Sequence, residues 1–206
     1  MTLLPLFLDL KGKRVLLVGG GSVAQAKLRS LLPTSALLRT VAIHFSEAFR
    51  KEAEGHEVQL LERPFEPGDL DGIHLVIAAT NDPDANATIA ALCRSRGIWI
   101  NAVDDPPSCD ALFASTLRRG PWTLAISTEG AFAGLSRALR LALEDLIPET
   151  DPDLQALVDL RNQAKTLPPD LRSRALQKLL ADFRSTYFPS PRLPAPGVYD
   201  ERTIQL

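Results

Sequence analysis

The chain has 206 residues, enough to bury a sizeable core as one large domain or as a domain with an appendage. Hydrophobic residues make up 45% and charged residues 23%, an ordinary balance for a globular chain, and the formal net charge of −2 gives no global basic field that would point to nucleic acid. Cys93 and Cys109 cannot build a disulfide framework and predict the cytoplasm, while His44, His56 and His74 are scattered with no metal-ligand spacing, so no metal site is expected.

The N-terminus is apolar, but Pro5 and Asp9 interrupt it and no cationic start precedes it, unlike a signal peptide. No run approaches the ~20 apolar residues of a membrane helix, so no membrane partner is expected. Residues 4–8 are expected to pack on a sheet edge. Residues 15–18 form a short, unbroken apolar run, which suits a strand buried on both faces. Gly19 and Gly21 follow at once, with Ala24 three residues on. This is the G-x-G-x-x-A spacing that binds a dinucleotide. Gly19 permits the tight turn, Gly21 admits a pyrophosphate close to the backbone, and Ala24 lets the helix sit near the strand. The helix, from Ser22 to about Leu32, points its N–H groups at the anion. A glycine-rich turn without a ligand is the bland alternative.

Strand and helix then alternate. Strands are predicted over 38–44, 57–61, 74–79 and 98–101, and helices over 46–54, with Ser46 as N-cap, and 84–96, stopped by Gly97. Such alternation implies right-handed crossovers and a parallel sheet with helices on both faces. Ligands then lie beyond the carboxyl ends of the strands. The candidate cofactor-binding residues are therefore Gly19, Gly20, Gly21, Ser22, Val23, Ala24, Ser46, Ala79, Thr80 and Asn101. The second strand lacks the acid that commonly meets the ribose hydroxyls, and it offers only His44, Ser46 and then Glu47. NAD and NADP are not separated by this pattern.

Beyond Asn101, residues 116–121 read as a turn carrying Arg118 and Arg119, and 121–127 as a strand able to pair across a two-fold axis. A helix is expected from about Phe132 to Leu146. Two more are expected over 151–165, capped by Asp151, and 169–183, after Pro168. The tail from Pro189 is proline-rich and predicted to be extended.

Four stretches recur together in one order: Gly19 to Ala24 with Lys27; Ala78, Ala79 and Thr80; Asn101 to Pro106 with Cys109 and Asp110; and Ile126, Ser127 and Thr128 before an arginine-bearing helix. Together they resemble the precorrin-2 dehydrogenase and sirohydrochlorin ferrochelatase family, the N-terminal half of siroheme synthase and its stand-alone relatives, over roughly residues 3–147. The resemblance implies an α/β fold: a Rossmann-type parallel-sheet domain over 1–112, a small dimerisation region over 113–147 and a helical C-terminal domain over 148–206. It places the methyltransferase half of the fused enzymes outside this chain. It implies NAD-dependent oxidation of precorrin-2, a tetrapyrrole, to sirohydrochlorin, with iron insertion in some members. Many members carry Gly-x-Ser-Pro after the Ser-Thr pair. Here Glu129, Gly130, Ala131, Phe132 and Ala133 stand instead, which bears on the tetrapyrrole contacts of this loop and on the chelatase step.

Oxidation of precorrin-2 needs a hydride acceptor and a base. If the chain stays extended after Asn101, only one of Asp104 and Asp105 faces the cleft, and the family motif favours Asp104 as the catalytic base. An Asp-Asp-Pro turn is the alternative reading. Substrate carboxylates need cations. Arg118 and Arg137 are the candidates, beside Arg119 and Arg140, although Arg140 can also pair with Glu144 four residues on. Ser127 and Thr128 either bind a substrate carboxylate or cap the following helix. Cys93 reads as core and Cys109 as a small loop or core residue. The strand over 121–127 and the helix after it predict a homodimer whose sites are completed by the segment after Leu112. A non-catalytic NAD-binding sensor module is the reading from a different class.

Overall fold

The computed structural model describes residues 3–147, 149–150 and 152–187. The first strand, β1 (Arg14–Val18), shows why the sheet forms. Val15 and Leu17 project to one face, Leu16 and Val18 to the other, and all four are buried. Such a strand is stable only with apolar layers on both sides.

Those layers are helical. The elements after β1 are α1 (Ser22–Leu31), β2 (Leu37–Ala42), α2 (Glu47–Ala53), β3 (Val58–Glu62), β4 (Leu75–Ala78), α3 (Pro83–Ser95) and β5 (Trp99–Ala102). The five strands are parallel, in the order β3-β2-β1-β4-β5. One core layer joins Val15, Leu17 and Ile77 to Ala24 and Leu28 of α1 and Phe49 of α2. The other joins Leu16, Val76 and Ile100 to Ile89, Ala90 and Cys93 of α3. Helix α1 buries Ala24, Leu28 and Leu31, a stripe at helical spacing. The chain winds outward from β1 to β3, then returns to the other side of β1 for β4 and β5. The switch point therefore lies between β1 and β4, where an open α/β sheet leaves a crevice.

Most expected elements form within two residues of their expected ends. The second strand stops at Ala42, not His44, because the chain leaves the ladder for the Ser46 cap of α2, whose Oγ accepts the Phe49 N–H. The N-terminal segment departs from expectation. Leu4 and Phe7 are 77% and 72% exposed and join no ladder; Pro5 has no N–H to give one. Leu8, Asp9 and Leu10 line a groove with Ile73, Leu75 and Trp99 at the amino ends of β4 and β5.

The expected turn over 116–121 is also corrected. Ser115–Arg119 is a strand, β6, paired antiparallel with β7 (Trp122–Ile126), so the turn is confined to Gly120, with φ +48°, and Pro121. Arg118 and Arg119 therefore lie on a strand. The apolar signal of β6 is a single residue, the fully buried Leu117. The helices α4 (Ala133–Leu146), α5 (Pro152–Ala164) and α6 (Pro169–Tyr187) follow. The Asp151 cap and the proline-rich tail lie outside the described residues.

The chain divides into two compact units. The first holds the parallel sheet, up to residue 114, together with 127–136. The second holds the β6–β7 hairpin and the described residues from 137 on. In the second unit Trp122 packs on Phe183 with ring centroids 5.9 Å apart, over a groove that Val158, Leu176 and Leu180 also line.

An ion pair fixes the crossover from β3 to β4. Arg63 donates to both carboxylate oxygens of the buried Asp69, at 2.9 and 2.6 Å, and Asp69 also accepts the Glu66 N–H. The guanidinium, above all, holds the Asp69 carboxyl below its ordinary range. A depressed carboxylate stabilises the fold above its unfolded pKa, and that contribution is lost as pH falls through the folded value. Asp69→Asn is expected to cost about 2 kcal/mol at pH 7, in the range for a hydrogen bond to a charged group. In thermal melts the gap between parent and variant closes as the pH is lowered below the carboxylate range.

Candidate active site: a glycine-lined cleft at the switch point

Two of the three glycines after β1 are demanded by the fold. A Cβ on Gly19 would stand 2.2 Å from the Ala79 carbonyl oxygen, and φ there is +132°. A Cβ on Gly20 would stand 2.2 Å from the His44 carbonyl oxygen and 2.9 Å from Phe45 Cα. The loop is thus wedged between the ends of β2 and β4. Gly21 differs. A Cβ there would meet nothing within 4 Å, and its φ of −89° suits any residue. Gly21 is the N-cap of α1, and among the described residues no side chain caps that helix. The space before it is open, and the helix end favours negative charge. A pyrophosphate fits this cradle, and a side chain at position 21 would fill it.

That space belongs to a cleft of about 710 Å³, within the roughly 300–1,000 Å³ usual for ligand sites. Of the sequence candidates, Gly19, Gly20, Gly21, Ser46, Ala79 and Thr80 line it together. Ser22 and Val23 form the first turn of α1, and Ala24 is buried behind them, so its part is packing. Asn101 is turned elsewhere. It is 5% exposed, and its Nδ2 donates to the Ala111 carbonyl at 2.8 Å, while its buried Oδ1 has no partner among the described residues.

Sequence reasoning missed Asn86. It is buried on α3, its Oδ1 accepts from both the N–H and the hydroxyl of Thr80, and its Nδ2 donates back to the Thr80 carbonyl. It thereby fixes the turn after β4. Its only sequence signal is a polar residue on the apolar stripe of α3.

The next strand end carries the acids. The expectation of an extended chain after Asn101 is overturned: residues 103–104 form a turn, and Asp104 has φ +61°. Left-handed backbone is tolerated by Asp, whose short side chain bonds locally, and it recurs at functional sites. Asp105 is half-buried, and its carbonyl accepts the Ser108 N–H and the Cys109 thiol. Alternation along a strand therefore does not distinguish the two acids. Their surroundings do. Asp104 is exposed and lies close enough to Lys27 of α1 for the two charges to interact.

Lys27 is a second residue that the sequence reading did not assign to the site. It is half-buried, with Nζ 4.1 Å from the centre of the Phe113 ring. Burial pushes its ammonium below the ordinary lysine value, and the nearby Cys109 and Asp104 act in the opposite direction. The two thiols are structural. Cys109 takes the Ala102 N–H and lies 3.1 Å from the Ala102 carbonyl, and burial pushes both thiols up, that of Cys93 to about 11.

Ser127 and Thr128 brace the loop before α4: Ser127 Oγ accepts the Glu129 N–H and Thr128 Oγ1 the Phe132 N–H, each at 3.0 Å. Arg118 on β6 and Arg137 on α4 are exposed and belong to the second unit. Arg140 is paired with Glu144.

This fold, with its glycine loop against an open helix end, defines a dinucleotide-binding domain, and the chain belongs to the family described as "Putative NAD(P)-binding", which matches residues 6–115. More particularly, it is similar to siroheme synthases. It is 39% identical over 175 residues to that of Pseudomonas fluorescens (strain SBW25), covering 84% of this chain and 38% of that protein. It is 37% identical to that of Pseudomonas putida (strain W619), covering 100% of this chain and 44% of that protein. The chain thus spans less than half the length of these curated relatives. A solved structure of SirC, precorrin-2 dehydrogenase, matches with a TM-score of 0.73 at 26% identity, covering 92% of this chain and 94% of that one. The family resemblance carried by the four sequence stretches is met by these relatives.

The glycine loop separates fold from ligand. Gly20→Ala should cost about 2–3 kcal/mol, the upper range for overpacking, because both neighbours are backbone. Gly21→Asp should fold with a melting temperature near that of the parent and lose dinucleotide binding, since the side chain fills the cradle and carries a like charge. Calorimetry with NAD on the folded Gly21→Asp protein checks it; retained affinity would remove the cleft from dinucleotide binding.

Proposed function

We propose that this chain is an NAD-dependent dehydrogenase that converts precorrin-2 to sirohydrochlorin in siroheme or related tetrapyrrole biosynthesis. The similarity to siroheme synthases and to SirC supports the substrate class. One observation of geometry carries the chemistry: an exposed carboxylate, Asp104, stands in a left-handed turn at the end of β5, next to the strand whose end lines the cleft. Precorrin-2 loses two hydrogens, one as a hydride with its electron pair and one as a proton. When bound, NAD would supply the hydride acceptor. The chain supplies the rest.

Gly19, Gly20, Gly21 and the first turn of α1, Ser22 and Val23, hold the pyrophosphate. Ser46, Ala79 and Thr80 line the path of the riboses and nicotinamide. Asn101 acts through the loop it anchors. Asp104 accepts the proton at its carboxylate. Lys27 is a cation for a substrate carboxylate, a task also assigned to Arg118 and Arg137, with Ser127 and Thr128 at the helix entrance. The division of labour is a dinucleotide-binding part over 1–112, a dimerisation region over 113–147 and a helical part over 148–206.

The active form in this reading is a homodimer. Leu135, Leu139 and Leu146 on α4 and Trp122 on β7 are exposed apolar groups that a second copy would cover. Among the described residues no helix is long and apolar enough to cross a membrane. Both thiols are free, which suits a reducing cytoplasm.

Asp104→Asn keeps shape and hydrogen bonding but cannot take the proton. It should bind NAD as the parent does and oxidise precorrin-2 at least ~100-fold more slowly, the lower range for loss of a general base. Asp105→Ala should lose much less. Near-parent turnover by Asp104→Asn would make Asp104 a turn residue only; a dead Asp105→Ala would move the base by one position. Sedimentation should give a dimer at micromolar concentration, and a fully active monomer would contradict the assembly.

A further inference from the structure

The acid missing from the end of β2 is supplied by the neighbouring strand. Glu62 is the last residue of β3, in register with Ala42, the last residue of β2. Its Oε1 lies 3.2 Å from the Phe45 N–H nitrogen and 3.3 Å from His44 Nδ1. His44 lines the cleft, and its carbonyl is the atom against which Gly20 is pressed. The Glu62 carboxylate therefore lies against the end of β2, behind His44, and the end of the second strand is where a nucleotide-binding sheet usually presents its ribose acid.

We propose that Glu62 determines the choice between NAD and NADP, its carboxylate meeting the adenosine ribose hydroxyls and excluding a 2′-phosphate. The inference rests on the reading of the cleft as a dinucleotide site.

Arg50 raises the opposite possibility, since an arginine near the ribose accommodates NADP. Here it is restrained. One of its terminal nitrogens lies 2.7 Å from each Glu62 oxygen, and its guanidinium is held 5.6 Å from the centre of the Phe45 ring. Arg50 sits on α2, beyond the β2 end, whereas Glu62 Oε1 faces that end through Phe45 and His44. Because the guanidinium is bonded to both Glu62 oxygens, an incoming 2′-phosphate would have to break the pair to use the cation. A ribose hydroxyl donates to the same carboxylate without disturbing it. The Arg50 bond and the Phe45 N–H both hold the Glu62 carboxyl below its ordinary range, so it is charged at neutral pH.

The test is the ratio of dissociation constants for NADP and NAD, measured by calorimetry on the full chain. The parent should prefer NAD at least tenfold. Glu62→Gln removes the repelling charge and frees Arg50, and should reduce that preference at least tenfold. Arg50→Ala leaves the carboxylate uncompensated and should increase the preference. It also keeps the test open if Glu62→Gln does not fold. In Glu62→Gln with Arg50→Ala, part of the gain in NADP affinity should remain, because the repelling charge is gone, and the part supplied by the freed arginine should disappear. A parent that binds both cofactors equally, or a ratio unmoved by Glu62→Gln and by Arg50→Ala, overturns the inference while leaving the cleft a dinucleotide site. A parent that binds neither cofactor overturns the cleft reading as well.

Discussion

The close approach of β1 and β4 at their carboxyl ends governs this molecule. The Ala79 N–H donates to the Val18 carbonyl at 2.8 Å, and the Gly19 N–H donates to the Val41 carbonyl at 2.9 Å. The chain at Gly19 is thus held by strands on both sides of β1, with no room for a Cβ. Everything functional hangs from this junction. It sends α1 away from the sheet with its N-terminus open, brings Ala79 and Thr80 against the loop, and places the β2 and β5 ends on either flank. The sheet supplies rigidity through two apolar layers, and the loops at its edge carry the chemistry.

The sheet was legible because its signals are local. Buried strands such as residues 15–18 are short apolar runs, helices such as α1 repeat at helical spacing, and Gly97 stands where a left-handed residue must end α3, at φ +65°. The strand β6 was not legible. Only Leu117 marks it, because a two-stranded hairpin buries one side of a few residues. The exposed N-terminal leucines misled for a related reason: apolar composition alone does not specify a partner, and residues 4–7 have no strand beside them.

In the site, legibility followed sequence distance. The glycine loop is contiguous, so its tight turn at Gly19 and open helix end at Gly21 were legible, whereas the packing that demands Gly20 comes from the β2 end and was not. Asp104 was reached through its motif, but its backbone was not, since a left-handed aspartate carries no mark that separates it from an extended one. Glu62, Asn86 and Lys27 each act on residues far from them in sequence: Glu62 on Phe45, Asn86 on Thr80, and Lys27 beside Asp104. Their roles come from the register of β2 with β3, the packing of α3 and the approach of α1 to the β5 end. The absence of an acid on β2 was a true observation, and the register of the sheet sets Glu62 of β3 beside the β2 end.

The cleft at the β1–β4 junction is proposed to oxidise precorrin-2 at the expense of NAD. The direct measurement supplies precorrin-2 and NAD to the purified chain without oxygen and follows sirohydrochlorin and NADH together by absorbance. Both should appear, in equal amounts, only when chain and cofactor are both present. Sirohydrochlorin formed without matching NADH, or no oxidation by a chain that binds NAD, would contradict it.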